Sequence, residues 1–184
     1  TYTISRNITR CTFILDQLEK VGGLPEAAKA TKIAEAKTLR AWLMFCFYDL
    51  YGPVSCVLEP EELSNIGYTP RPTKEAYFNR MVSDLHKTNG TGNWGRVNKG
   101  LATMLLMKAY MNDHQYDKAL PYAESMKTMG YKLSDDYKDI FINEMNDETV
   151  WAVPSGELAG NEYFFYAFPP NCITFGKDFE YKSG

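Results

Sequence analysis

The sequence predicts a mainly α-helical chain, and three observations carry that prediction. Apolar residues recur at helical spacing in five stretches that together take up most of the first 130 positions. Gly-Gly, Gly-Pro and capping residues punctuate those stretches where helices end and begin. The β-branched and aromatic content typical of a strand is confined to "ETVWAVP", residues 148–154.

The first helix is expected over 4–21, where Ile4, Ile8, Cys11, Ile14, Leu15, Leu18 and Val21 share one face. Gly22-Gly23 ends it. Pro25 suits the first turn of a second helix over 25–51. Its first half is polar and rich in alanine. Its second half, 39–51, is apolar around nearly the whole circumference and so expects neighbours on all sides. Gly52-Pro53 stops it, and 53–72 follows as a non-helical stretch with short extended pieces, holding Pro53, Pro60, Gly67, Pro70 and Pro72.

Thr73 reads as an N-cap, because its hydroxyl can accept a free backbone N–H of the next turn. The third helix places Tyr77, Phe78, Met81, Val82 and Leu85 on one face. A glycine-rich loop leads to a fourth helix over 96–112 and, after a short turn, a fifth over 115–129 with Gly130 as its C-terminal cap. A helical turn at 134–141 and a short strand near 149–153 follow. Residues 155–184 are aromatic-rich and irregular.

The pair 96–130 has a recognisable pattern. Tyr110 and Ala119 are nine residues apart, Tyr116 lies in the turn, and Ala123 stands one helical turn beyond Ala119. That is the spacing of a tetratricopeptide-like helix pair, in which an aromatic on one helix needs a small residue opposite for the axes to approach. Such a pair must stack on others to bury its face.

Composition excludes several function classes. The chain has 184 residues, 45% hydrophobic and 23% charged, with a formal net charge of −3. That is one domain of ordinary size with a real core. A nucleic-acid partner would show as a basic stripe, and none is present. The longest apolar run, Ala41–Tyr48, is far shorter than the ~20 residues a bilayer span needs. No signal peptide is visible, and the opening without Met reads as an excised piece or a mature form. Cys11, Cys46, Cys56 and Cys172 lack the paired short spacings of a zinc site. Cys46, inside an apolar run, reads as a buried thiol. A disulfide among the others stays open.

"NGTGNWGRVNKG", residues 89–100, matches G-x-G-x-x-G through Gly90, Gly92 and Gly95. A phosphate cradle needs a strand running into those glycines and a helix N-terminus facing the ligand. Here a helix precedes them. Arg96 stands where a P-loop has Lys, and Val97 where it has the magnesium-binding hydroxyl. A helix–loop–helix connection accounts for these residues.

The blocks "AEAKTLRAWLMFCFYDLYGPV" (34–54), "PRPTKEAYFNRMVSDL" (70–85), "GRVNKGLATMLLMKAYM" (95–111) and "YDKALPYAESM" (116–126) resemble the SusD/RagB family in order and spacing. "YKLSDDYKDIF" and "NDETVWAVP" continue the resemblance, which covers roughly residues 4–154. Thr12 departs from it, standing where the family usually has Asn. The resemblance implies a SusD-like helical domain over 1–184 as a fragment of a longer protein. It also implies an outer-membrane lipoprotein of Bacteroidetes, surface-exposed or periplasm-facing, with its anchor outside this chain. Such proteins capture oligosaccharide or polysaccharide and pass it to a TonB-dependent outer-membrane transporter. They are not enzymes and use no cofactor.

The residues themselves offer no catalytic constellation. His86 and His114 stand alone on polar helix ends, without a metal-ligand partner at i+4. Glu61-Glu62, Asp135-Asp136 and Asp147-Glu148 are adjacent, not opposed across ~5–10 Å as glycosidase carboxyls are. "NEMNDE" (143–148) lacks the alternation and glycine of an EF-hand. The stretch that can meet a ligand is "GNEYFFYAFPPN", 160–171. Sugars present flat C–H faces rimmed by hydroxyls, so an aromatic platform with polar neighbours suits them. The candidate ligand-binding residues are Tyr163, Phe165, Tyr166 and Asn161, with Trp94 of the glycine loop as a second platform. Core anchoring is the competing role for those rings. The alternative function is a tetratricopeptide-type protein–protein interaction scaffold, for which the pair 96–129 suffices.

Overall fold

The structure is a computed structural model that describes residues 2–65, 67, 69–86, 95–143 and 146–153. The chain divides into two units, Thr1–Ala152 and Val153–Gly184. The first unit carries six α-helices among the described residues: α1 Tyr2–Lys20, α2 Glu26–Tyr51, α3 Lys74–Leu85, α4 Lys99–Asn112, α5 Tyr116–Lys127 and the single turn α6 Asp139–Ile142. A short 3-10 helix, Pro60–Ser64, interrupts the stretch expected to be irregular with extended pieces.

Helix starts follow the capping chemistry. Thr73 Oγ1 accepts the Ala76 N–H at 3.1 Å and opens α3. Asn98 Oδ1 accepts the Leu101 N–H at 2.8 Å, so α4 begins at Lys99 and not at Arg96. The fifth helix ends at Lys127, and Gly130, at φ 88°, turns the chain two residues after the Thr128 cap. Between α4 and α5 the turn is tight, with His114 in the left-handed region at φ 57°.

Consecutive helices pack as neighbours: α1 on α2, α2 on α3, α3 on α4 and α4 on α5. One core runs through them, built from Ile8, Met44, Phe47, Tyr77, Met81, Leu85, Leu101, Leu105, Leu106 and Ala109. Each large aliphatic side chain so buried contributes about 1.5–3 kcal/mol. An aromatic series threads it: Tyr48 stacks on Tyr77 (centroids 6.2 Å) and meets Phe78 (5.8 Å), Phe78 meets Tyr110 edge-on (5.6 Å), and Tyr110 stacks on Tyr122 (5.8 Å). Tyr110 therefore finds aromatic partners, and Ala119 is the one buried residue of α5.

Residues 55–58 run extended beside α1 and are tied to it by hydroxyls. Ser5 Oγ donates to the Ser55 carbonyl (2.6 Å), Thr9 Oγ1 accepts the Val57 N–H (3.2 Å), and Thr12 Oγ1 donates to the Val57 carbonyl (2.9 Å). Positions i, i+4 and i+7 share a helix face, so these three hydroxyls line up beside the segment and satisfy backbone groups that have no strand partner.

Below them lies a buried ion pair. Arg40 of α2 donates from Nε to Asp84 Oδ2 at 2.7 Å and from Nη2 to Asp84 Oδ1 at 2.9 Å. Its Nη1 reaches Thr12 Oγ1 at 3.0 Å and the Leu58 carbonyl at 3.2 Å. One guanidinium thus joins α1, α2, α3 and the 55–58 segment. A pair this deep is tolerable only because these hydrogen bonds replace water.

Three sequence expectations change. No strand forms near 149–153: Asn146 turns the chain by accepting the Glu148 and Thr149 N–H groups, and Trp151 goes to Trp42 instead of a ladder. Composition favoured a strand, but no described neighbour offers it an edge. The second half of α2 is not enclosed all round, since Leu39, Leu50 and Tyr51 are exposed. Cys46 is half-buried, and Cys11, Cys46 and Cys56 are all free thiols.

Candidate functional site

The residues nominated from sequence, Trp94, Asn161, Tyr163, Phe165 and Tyr166, lie outside the described residues. What the structure shows is how the chain is held around Arg96 and Asn98 and at residues 150–151, and a cleft that the sequence did not single out.

The glycine loop leaves α3 and returns through Arg96. Its guanidinium forks onto the Glu35 carboxylate of α2, with Nε donating to Oε1 at 2.8 Å, and Lys32 approaches the same carboxylate at 3.2 Å. Burial pushes the Glu35 carboxyl up, yet the hydrogen bonds and charges of Arg96 and Lys32 outweigh it and hold the group below the usual carboxylate range. Arg96, the residue in the P-loop lysine position, is thus spent on an internal partner. Helix α3 in front of the loop replaces the strand that a phosphate cradle requires.

Asn98 does double duty. Its oxygen caps α4 while its Nδ2 donates to the Val150 carbonyl at 2.9 Å. Next to it, Trp151 meets Trp42 edge-to-face with centroids 5.1 Å apart. Trp151 Nε1 is enclosed and without a hydrogen-bond partner among the described residues. Two tryptophans and an asparagine therefore fasten residues 150–151 to α2 and to the start of α4.

The acidic stretch near residue 146 is turn chemistry. Asn146 Oδ1 serves the Glu148 and Thr149 backbone, and Glu148 Oε2 accepts the Ser134 N–H at 2.9 Å. Among the described residues no group of His, Cys, Asp and Glu is arranged to hold a metal. The two histidines are surface residues. His114 Nδ1 pairs with the Tyr116 hydroxyl at 3.0 Å, and His86 lies 3.5 Å from the Tyr122 hydroxyl.

The cleft, about 520 Å³, opens between residues 56–62 and 69–72 and the outer side of α3. Buried Cys56 and Leu58 form its depth. Pro70, Pro72 and Ala76 make an apolar wall, and Glu62, Asn79, Arg80 and Ser83 carry polar groups around it. Arg80 is paired with Glu59 across the cleft wall. Burial, partly offset by the Arg40 charge, pushes the Cys56 thiol up to about 12, so it sits there as a neutral thiol and not a nucleophile. Sequence reasoning took Glu61-Glu62 only as an adjacent pair unsuited to glycosidase chemistry and did not weigh Asn79 or Ser83. The available signal was their i,i+4 spacing on the face of α3 opposite Tyr77 and Met81.

No family model matches the chain. The starch-binding protein SusD of Bacteroides thetaiotaomicron is 29% identical over 154 residues, covering 77% of this chain and 26% of that protein. Among solved structures, a SusD superfamily protein from Bacteroides vulgatus superposes with a TM-score of 0.74 at 18% identity, over 82% of this chain and 34% of that one. A structure with a xylogluco-oligosaccharide superposes at 0.71 and 25% identity, over 87% and 35%. The chain spans 26–30% of the length of the curated SusD and SusD-like relatives it matches. The solved neighbours share its helical fold, three curated relatives carry the SusD or SusD-like name, and over the part that they match the chain is similar to the SusD family.

Proposed function

We propose that the chain is the helical part of a non-enzymatic glycan-binding protein of the outer membrane. It takes up oligosaccharide and delivers it to a TonB-dependent transporter. The likeness to a starch-binding protein over 77% of the chain is the observation that carries this reading. A neighbour of the same helical order with a xylogluco-oligosaccharide supports it. The physical role of the described helices in this reading is scaffolding. Clips such as Arg96–Glu35 and Asn98–Val150 fix where the loops leave the helices, which is what a pre-organised sugar site needs. The aromatic stretch 160–171 and Trp94 remain the proposed sugar platform.

A glycan array probed with the full-length protein tests this. Binding to starch-, xyloglucan- or laminarin-type glucans is expected. A folded sample that binds no glycan on the array contradicts it. A second reading, a protein-interaction scaffold, draws on the exposed Tyr116 and Leu120 of α5, each 60% accessible. It predicts that a pull-down retrieves a soluble partner and no transporter barrel.

A further inference from the structure

We propose that the cleft between residues 56–65, 69–72 and α3 is a saccharide site selective for uncharged sugars; this rests on the glycan-binding reading above.

The size is right for a small ligand: about 520 Å³ falls inside the ~300–1,000 Å³ range of small-molecule sites. The lining has the two components a sugar requires. Pro70, Pro72 and Ala76 offer a flat C–H surface for the apolar face of a pyranose ring. Beside them, Glu62, Asn79 and Ser83 present a carboxylate, an amide and a hydroxyl. A carboxylate and an amide can together accept from and donate to neighbouring sugar hydroxyls.

Charge sets the selectivity. The guanidinium of Arg80 is already paired with Glu59, which leaves Glu62 as the uncompensated charge of the lining. A uronic or sulfated sugar would bring a second negative charge beside it and be repelled. A neutral sugar meets no such penalty. Without an aromatic ring in the wall the site is weak, with a Kd on the order of 1 mM. It would therefore hold a chain passing along the surface and not trap it.

Selective ¹⁵N-asparagine labelling of the full-length protein reads this directly. The Asn79 side-chain amide is assigned by its loss in Asn79→Ala, and the probes are maltoheptaose, laminarihexaose, a xyloglucan heptasaccharide and trigalacturonate. The expected result is a saturable shift of that resonance with at least one neutral oligosaccharide and none with trigalacturonate. Ser83→Ala should then raise the Kd about threefold to tenfold, as loss of one hydrogen bond does. Glu62→Gln should admit trigalacturonate. Both positions are exposed, so the fold should survive the changes. A static Asn79 amide in a protein that still binds glycan on the array overturns this site and leaves the proposed function standing. An equal response to trigalacturonate also overturns it. A protein silent on the array as well defeats both proposals.

Discussion

Arg40 and Asp84 face each other through two parallel hydrogen bonds of 2.7 and 2.9 Å, and neither side chain exposes more than 3% of its surface. They lie 44 residues apart, on α2 and α3, and lock those helices in one register. Removing one partner strands a charge in a dry site, so Asp84→Ala should cost about 3–5 kcal/mol in urea unfolding. Replacing both with apolar residues, Arg40→Met with Asp84→Leu, should recover much of that loss. A double variant as unstable as the single one would mean that the pair does more than neutralise itself.

Thr12 belongs to the same network, accepting from Arg40 Nη1 and donating to the Val57 carbonyl. Thr12→Val keeps the shape and removes both bonds, leaving a carbonyl and a guanidinium N–H short of partners. The expected cost is about 1–3 kcal/mol. Thr12→Asn, which offers both a donor and an acceptor, should lose less. Equal losses for Val and Asn would show that packing and not hydrogen bonding fixes this position.

Ala119 is 5% exposed at the contact of α5 with α4. Ala119→Leu adds three carbons to a closed space and should cost about 1–3 kcal/mol. An unchanged melting temperature would mean that the two helices are further apart than the structure has them.

Gly100 opens α4 under Tyr131. A Cβ built there would lie 1.9 Å from the tyrosine oxygen and 2.7 Å from its Cζ, closer than atoms approach. Gly100→Ala should therefore destabilise, although alanine is the better helix former by about 1 kcal/mol. Adding Tyr131→Ala should remove the clash and reverse the sign of the glycine substitution. If Gly100→Ala alone stabilises, the ring does not sit over this turn.

Asp113 gathers three helices at one end of the bundle. Lys74 Nζ lies 2.6 Å from Oδ1, the Tyr48 hydroxyl donates to the same atom at 3.1 Å, and Gln115 donates to Oδ2. The Lys74 hydrogen bond, with help from Gln115 and Tyr48 and against some burial, holds this carboxyl below the usual aspartate range. A depressed carboxyl stabilises the fold above its unfolded-state value and loses that contribution as pH falls through its folded value. Thermal unfolding from pH 7 to pH 2 should show an acid limb that is shallower in Asp113→Asn. Parallel limbs in the two proteins would show that Asp113 titrates as it does in the unfolded chain.

The five long helices were legible in the sequence because their apolar spacing and capping residues agree with each other. Thr73 and Asn98 stand where a cap is needed, and the structure uses both. The buried pair was not read, although Asp84 sits seven residues after Tyr77 on the face that Met81 and Leu85 define. Periodicity says which face is buried but not that a charge on it has found a partner from α2. The strand near 149–153 failed for a related reason: strand composition describes a side chain's fit to a pleated surface, and Trp151 found a ring of α2 instead. The cleft beside α3 depends on where residues 55–58 are held by the hydroxyls of Ser5, Thr9 and Thr12. That is a tertiary fact with no local signature. The aromatic residues at 161–166 and Trp94 rest on composition alone.

In the proposed function this helical scaffold serves sugar capture without turnover. Calorimetric titration of the full-length protein with neutral glucan oligosaccharides, followed by chromatography of the recovered sugar, tests it most directly. Saturable heat with every oligosaccharide recovered at its original length is the predicted result. A folded protein that evolves no heat with any glucan, or one that returns shortened chains, contradicts it.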